Sequence, residues 1–127
     1  MRVSRAQLAA LMESNVLEIR FFRRNPKPGW NAARRMLVTT DRLILDTAPG
    51  QLALHFKVPT HAPKYNAKTK NLVCGWDLFW QDWRMVPAES CDIVTVIPTR
   101  PPSVFWNYFN LYLQAMSPND KIQFMNN

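Results

Sequence analysis

The sequence predicts a mainly β fold with flanking helices (α+β): one domain over 1–127, with an N-terminal helix at 4–15, a small barrel at 16–98 and a C-terminal helical extension at 103–127. Three observations predict it. The stretch Leu72–Ile97, LVCGWDLFWQDWRMVPAESCDIVTVI, reads as strand, tight connection, strand, short turn, strand, and carries Trp76, Trp80 and Trp83. Leu17, Ile19 and Phe21 alternate with Glu18 and Arg20, the period of a half-buried strand. Both ends of the chain instead carry apolar residues at helical spacing.

Ser4 can cap the first helix, and Gln7 three residues later completes a capping box. Leu8, Leu11, Met12 and Asn15 then share one face. The strand at 17–21 finds its partner in Arg35–Thr40, across a loop (Asn25–Asn31) marked by its Pro, Gly and Asn content. Leu43-Ile44-Leu45 reads as a brief strand, Gln51–Val58 as another after Pro49-Gly50, and Pro59–Asn71 as a long loop.

Leu72–Trp76 and Trp83–Val86 are short runs rich in β-formers, separated by Asp77–Asp82. Pro87 has no N–H for a ladder, so the second run ends there or lies at an edge, and Pro87–Ser90 suits a single helical or 3₁₀ turn. Ile93–Ile97 is apolar on both phases of the strand period, which predicts cover on its outer face as well. Strand, strand, 3₁₀ turn, strand is how small SH3-like barrels end. After Thr99–Pro102 a helix is predicted over Ser103–Met116, with Trp106, Phe109, Leu113 and Met116 on one flank and Phe105, Tyr108 and Tyr112 on another. So wide an apolar arc exceeds what one barrel face buries, and its surplus (Trp106, Phe109 and Tyr112 are the candidates) is an expected interaction or homodimer surface. Ser117-Pro118-Asn119-Asp120 starts a second short helix, capped by Ser117.

Trp76-Asp77, Trp83-Arg84 and Glu89-Ser90, together with Glu18–Phe22, Arg35-Met36 and Thr39-Thr40, resemble the corresponding positions of small phage-encoded SH3-like barrel proteins, the kind compared with WYL-type domains. The resemblance covers about residues 16–98, and the chain departs from the pattern in its 43–71 insert and its C-terminal extension. It implies a small viral barrel, with relatives acting near nucleic acid or as sensors, and no catalytic residues.

Composition bounds the chemistry. A length of 127 residues suits one domain, and 47% hydrophobic against 20% charged residues is a globular balance. The net charge of +7 favours anionic partners. It is unevenly placed: residues 1–42 carry nine Lys/Arg against Glu13, Glu18 and Asp41, whereas 72–100 is mildly acidic. Cys74 and Cys91 are expected to be reduced core residues of a cytoplasmic protein, in the host cytoplasm if the protein is viral. No signal peptide, membrane span or membrane partner is expected.

Arg20, Arg23, Arg24, Lys27, Arg34 and Arg35 fall within sixteen residues that contain no acid. A hairpin folds the ends of this segment together, so Arg23, Arg24, Arg34 and Arg35 are expected to crowd one end of a sheet. Trp30 lies near its tip, and cations with an exposed ring are the pairing that single-stranded nucleic-acid binders use. Lys64, Tyr65, Lys68 and Lys70 repeat that composition on a smaller scale.

Catalytic constellations are absent from the sequence. Three glycines form no phosphate-cradling loop. His55, His61, Cys74 and Cys91 lack metal-site spacing, and no cofactor is implied. Asp77 and Asp82 are expected to cap the backbone of their connection, with Asp77 ion-paired to Arg84. The expectation is a non-enzymatic barrel that binds DNA or RNA with little sequence preference; the alternative is an interaction module docking on a host or viral protein.

Overall fold

The computed structural model describes residues 1–29, 32–47, 61–63 and 67–119, with Ala67 and Lys68 described by backbone alone. Helix α1 spans Arg5–Ser14. Its capping box is reciprocal: Gln7 N–H donates to Ser4 Oγ (3.2 Å), and Ser4 N–H donates to Gln7 Oε1 (3.0 Å). Asn15 ends it, its side-chain amide donating to the carbonyl of Leu11. From Asn15 the chain is extended.

Among the described residues five strands follow: β1 (Asn15–Phe22), β2 (Ala33–Thr39), β3 (Leu72–Asp77), β4 (Asp82–Pro87) and β5 (Asp92–Pro98). They form one antiparallel sheet in the order β4-β3-β2-β1-β5. β4 and β5 are its two edges, so the fold is α+β with an open sheet; no pairing between the edges closes it into the expected barrel. A 3₁₀ turn, Ala88–Ser90, links β4 to β5, one of the two forms the sequence allows for the single turn expected over 87–90.

The two faces of the sheet bury different cores. On one, Leu8 and Met12 of α1 pack on Leu17, Ile19, Met36, Val38, Val73 and Val86. On the other, Val16, Leu37 and Trp76 are covered by two helices. One is α2 (Arg42–Thr47), which stands where a strand over 43–45 is expected. Three consecutive apolar residues fit a buried helix as well as a strand. Asp41 decides the outcome, because its side chain accepts from Leu43 N–H and its carbonyl from Ile44 and Leu45 N–H. The other is α3 (Pro102–Ala115), joined to α2 where Trp106 Nε1 donates to Thr47 Oγ1 at 2.7 Å.

The outer cover expected over β5 is not found among the described residues. Val94, Thr95 and Val96 are exposed, and only Ile97 reaches the core beneath α3. A bulge between Glu18 and Ile19 shifts the β1–β5 register: Thr95 faces Glu18 and Ile93 faces Ile19, with Val94 left over. The stretch predicted as a strand at 51–58 lies outside the described residues, as does the predicted second C-terminal helix from residue 120 onward.

Candidate nucleic-acid interface

The β1–β2 hairpin opens beside the tip of the β3–β4 hairpin, and basic side chains gather there. β2 and β3 share only the pairs Val38↔Asp77 and Thr39↔Trp76 before β3 turns away. The connection Leu78–Gln81 therefore lies alongside the first half of β2, tied to it by Leu78 N–H donating to Leu37 O at 3.0 Å. This places the Asp77 carboxylate within reach of Arg34.

Asp77 organises the tip. Its Oδ1 accepts from Phe79 N–H (2.9 Å) and Trp80 N–H (3.1 Å), and its Oδ2 from Arg34 Nη2 (3.1 Å). The expected backbone cap is present, but the expected Asp77–Arg84 pair is replaced. Arg34 takes Asp77, and Arg84 Nη1 donates instead to Asp82 Oδ2 at 2.9 Å. Arg84 also lies 5.8 Å above the Trp80 ring centroid, within cation–π range.

Burial and like charge shape the titration of this group. Arg34 is pushed down to about 10, first by burial and then by the Arg84 and Arg23 charges, against which Asp77 acts. Arg23 is lowered too, by burial and by Arg84. Burial raises the Asp77 carboxyl, while Trp80 N–H, Arg34 and Phe79 N–H pull the other way. Arg23, Arg34 and Arg84 thus feel one another, although they come from three separate strand ends.

The remaining predicted cations divide. Arg20 is exposed on β1, and Lys27 is exposed in the hairpin loop. Arg24 pairs with Glu89 at 2.7 Å and donates to Lys70 O. Arg35 is not at the surface as an open cation: it is half-buried and held by Glu18, with its Nη2 2.9 Å and its Nε 3.1 Å from Oε2. Arg34 is buried outright. Both corrections have the same reason, since the acid-free run obtains its acids from β1 and β3. Lys70 is exposed. Lys68 is placed by backbone in a 3₁₀ turn (Ala67–Lys70), and Trp30, Lys64 and Tyr65 lie outside the described residues.

Arg84 and Trp80 are the members of this group that sequence reasoning missed. Asp77 faces Asp82 in the β3–β4 register, so Arg84, two residues on, returns to the same face. That alternation was the available signal.

On α3, the expected surface residues Trp106 and Phe109 are buried, because α2 and the sheet cover them from both sides. Tyr112 is half-buried and stacks on Tyr108 with ring centroids 6.2 Å apart. The exposed apolar row is Val104, Tyr108 and Leu111, at 60%, 46% and 65% exposure.

Cys74 and Cys91 are both free, the first half-buried and the second buried. Among the described residues no three His, Cys, Asp or Glu side chains converge as a metal site; His55 lies outside them. No helix among them is long and apolar enough to cross a membrane. Compared with known proteins, the chain matches no family model, no curated protein and no solved structure.

Proposed function

We propose that the chain is a non-catalytic, cytoplasmic nucleic-acid-binding domain that contacts the phosphates of DNA or RNA with little sequence preference. The observation that carries this reading is the placing of Arg20 and Lys27 at the surface of the β1–β2 hairpin, on the basic segment that also holds Arg23 and Arg24. Cations exposed along one hairpin attract a polyanion, which releases its own counterions as it binds. The strand order β4-β3-β2-β1-β5 with a 3₁₀ turn before β5 supports an SH3-like topology, and with it the likeness to phage-encoded barrels. Titrating the protein with single-stranded and duplex oligonucleotides over a range of salt tests the reading, and absence of binding at low salt removes it.

A second reading is a protein-interaction module or homodimer that uses α3. The exposed row Val104, Tyr108 and Leu111 favours it, since these residues recur on one helix face without cover.

A further inference from the structure

We infer that Phe22 is a stacking platform for one unpaired nucleobase, with Arg20 on the same sheet face to take the adjoining phosphate. The inference rests on the nucleic-acid reading and adds to it a preference for single strands.

Phe22 is the last residue of β1 and is 56% exposed. Side chains alternate along a strand, so Val16, Glu18, Arg20 and Phe22 share one face of the sheet. Helices α2 and α3 cover that face at Val16. Further along, Glu18 is closed off by Arg35, and Arg20 and Phe22 then come out to solvent. Phe21 points the other way and is buried with Ile19 in the core beneath α1.

One exposed ring is ordinary on a protein surface. What sets Phe22 apart is a backbone firmly held beneath a ring left bare. Its N–H donates to Ser90 Oγ at 3.2 Å, and its carbonyl accepts from the same hydroxyl at 3.0 Å. On its other side runs β2, and the next rung of the hairpin is closed by Arg23 N–H donating to Ala32 O at 2.8 Å. The residue across the ladder is Ala33, itself exposed, whose methyl group is too short to cover a phenyl ring. A ring mounted in this way has little freedom to lose when a flat partner lies on it.

The charge around the ring selects that partner. Arg20 stands two residues back, about 7 Å along the strand at about 3.4 Å per residue, and Lys27 is exposed in the loop that follows. The acids that approach this face are each held by a cation: Glu18 by Arg35, Glu89 by Arg24, and Asp92, opposite Arg20 in the register, by the Met1 amino group. An apolar ring beside an exposed guanidinium suits a ligand that offers a π face and an anion together. A nucleotide offers both, but a duplex keeps its base faces inside the stack, so the site takes single strands.

The test measures binding of the full chain to oligothymidylate, to an abasic strand with the same number of phosphates, and to a duplex of the same length. The unmodified chain is expected to bind oligothymidylate roughly 5-fold to 150-fold more tightly than the abasic strand, the worth of one stacked base. Phe22→Ala is expected to erase that preference, with the salt slope and the affinities for abasic strand and duplex unchanged. Phe22→Leu keeps an apolar side chain without a π face and is expected to behave like Phe22→Ala, whereas Phe22→Trp is expected to keep the preference. Equal binding of the two single strands by the unmodified chain, a comparison that needs no variant to fold, overturns the platform and leaves the nucleic-acid reading standing. A preference retained in Phe22→Ala or Phe22→Leu does the same. Failure to bind any of the three at low salt removes the nucleic-acid reading, and the platform with it.

Discussion

Arg34 on β2 and Asp77 at the end of β3 form an ion pair 3.1 Å long, with their side chains only 7% and 1% exposed. The two residues stand 43 apart in sequence, and their contact joins the β1–β2 hairpin to the β3–β4 hairpin where ladder pairing between β2 and β3 has stopped. The pair thus takes the place of the missing ladder. It also fixes the turn, because the same carboxylate holds Phe79 and Trp80 N–H.

Removing one partner of such a pair leaves the other charged and buried. Asp77→Ala is expected to cost about 3–5 kcal/mol in urea unfolding, and further loss comes from the two backbone N–H groups it uncaps. Replacing both partners, as in Arg34→Met with Asp77→Ala, is expected to be less damaging than Asp77→Ala alone, since no buried charge then remains. A double variant no more stable than the single one would mean that Asp77 acts through its turn and not through Arg34.

This pair also marks where sequence reasoning stops. The capping box of α1 is legible because all its partners lie within four residues. The strands and the 3₁₀ turn before β5 are legible because period, proline and β-branching are local signals. Ion-pair partners are not local. Nothing in the acid-free run 20–35 says that Glu18 will hold Arg35 or that Asp77 will reach Arg34. Val94 and Val96 are exposed on β5, an edge strand whose one-residue bulge no periodicity announces. The helix at 42–47 hides because Leu43-Ile44-Leu45 has no period of its own.

Gly75 reports how closely α1 and β2 approach β3. A Cβ there would lie 2.3 Å from Val38 Cγ2 and 3.2 Å from Met12 Sδ. Val38 is β-branched and cannot swing away, so Gly75→Ala is expected to cost about 1–3 kcal/mol of stability. Adding Val38→Ala removes the clashing atom, and the double variant is expected to regain part of the loss relative to Val38→Ala measured alone. Full stability in Gly75→Ala would show that the sheet yields at this point.

Cys91 supplies the pH dependence. Burial, and after it the Asp92 charge, push its thiol up to about 11 from 9.0. A raised thiol binds its proton more tightly in the folded state, so its contribution is fully present below the unfolded value and lost as pH rises through about 11. Stability is therefore expected to fall across that alkaline window, and the fall is expected to shrink in Cys91→Ala. Burial raises Cys74 as well, but Cys74 is only half-buried. Iodoacetamide near neutral pH is expected to label Cys74 first and Cys91 only in urea, read by mass spectrometry.

Helix α3 separates core from surface within three residues. Phe109 is 1% exposed and stacks on Phe105 with centroids 5.8 Å apart, so Phe109→Ala is expected to cost about 3–5 kcal/mol. Leu111→Lys is expected to change stability by no more than about 0.5 kcal/mol. Under the interaction reading the unmodified chain self-associates at micromolar concentration and Leu111→Lys is a monomer, as sedimentation would show. A monomeric parent at high concentration removes the homodimer.

Salt dependence separates cations that reach the surface of the β1–β2 hairpin from those buried against acids. With Arg20, Arg23 and Lys27 supplying about three phosphate contacts, the slope of log K against log salt on single strands is expected to be about −2, from about −0.7 per contact. Lys27→Ala, at an exposed loop position, is expected to flatten it by about 0.7 without changing the unfolding midpoint. Arg35→Ala is expected to do the reverse. Its guanidinium is committed to Glu18, which is 7% exposed, so its loss uncovers a buried carboxylate at a cost on the order of 2 kcal/mol and leaves the slope in place. Were Arg35→Ala to flatten the slope as much as Lys27→Ala, the Glu18 pair would have to open when nucleic acid binds, and β1 would take part in recognition.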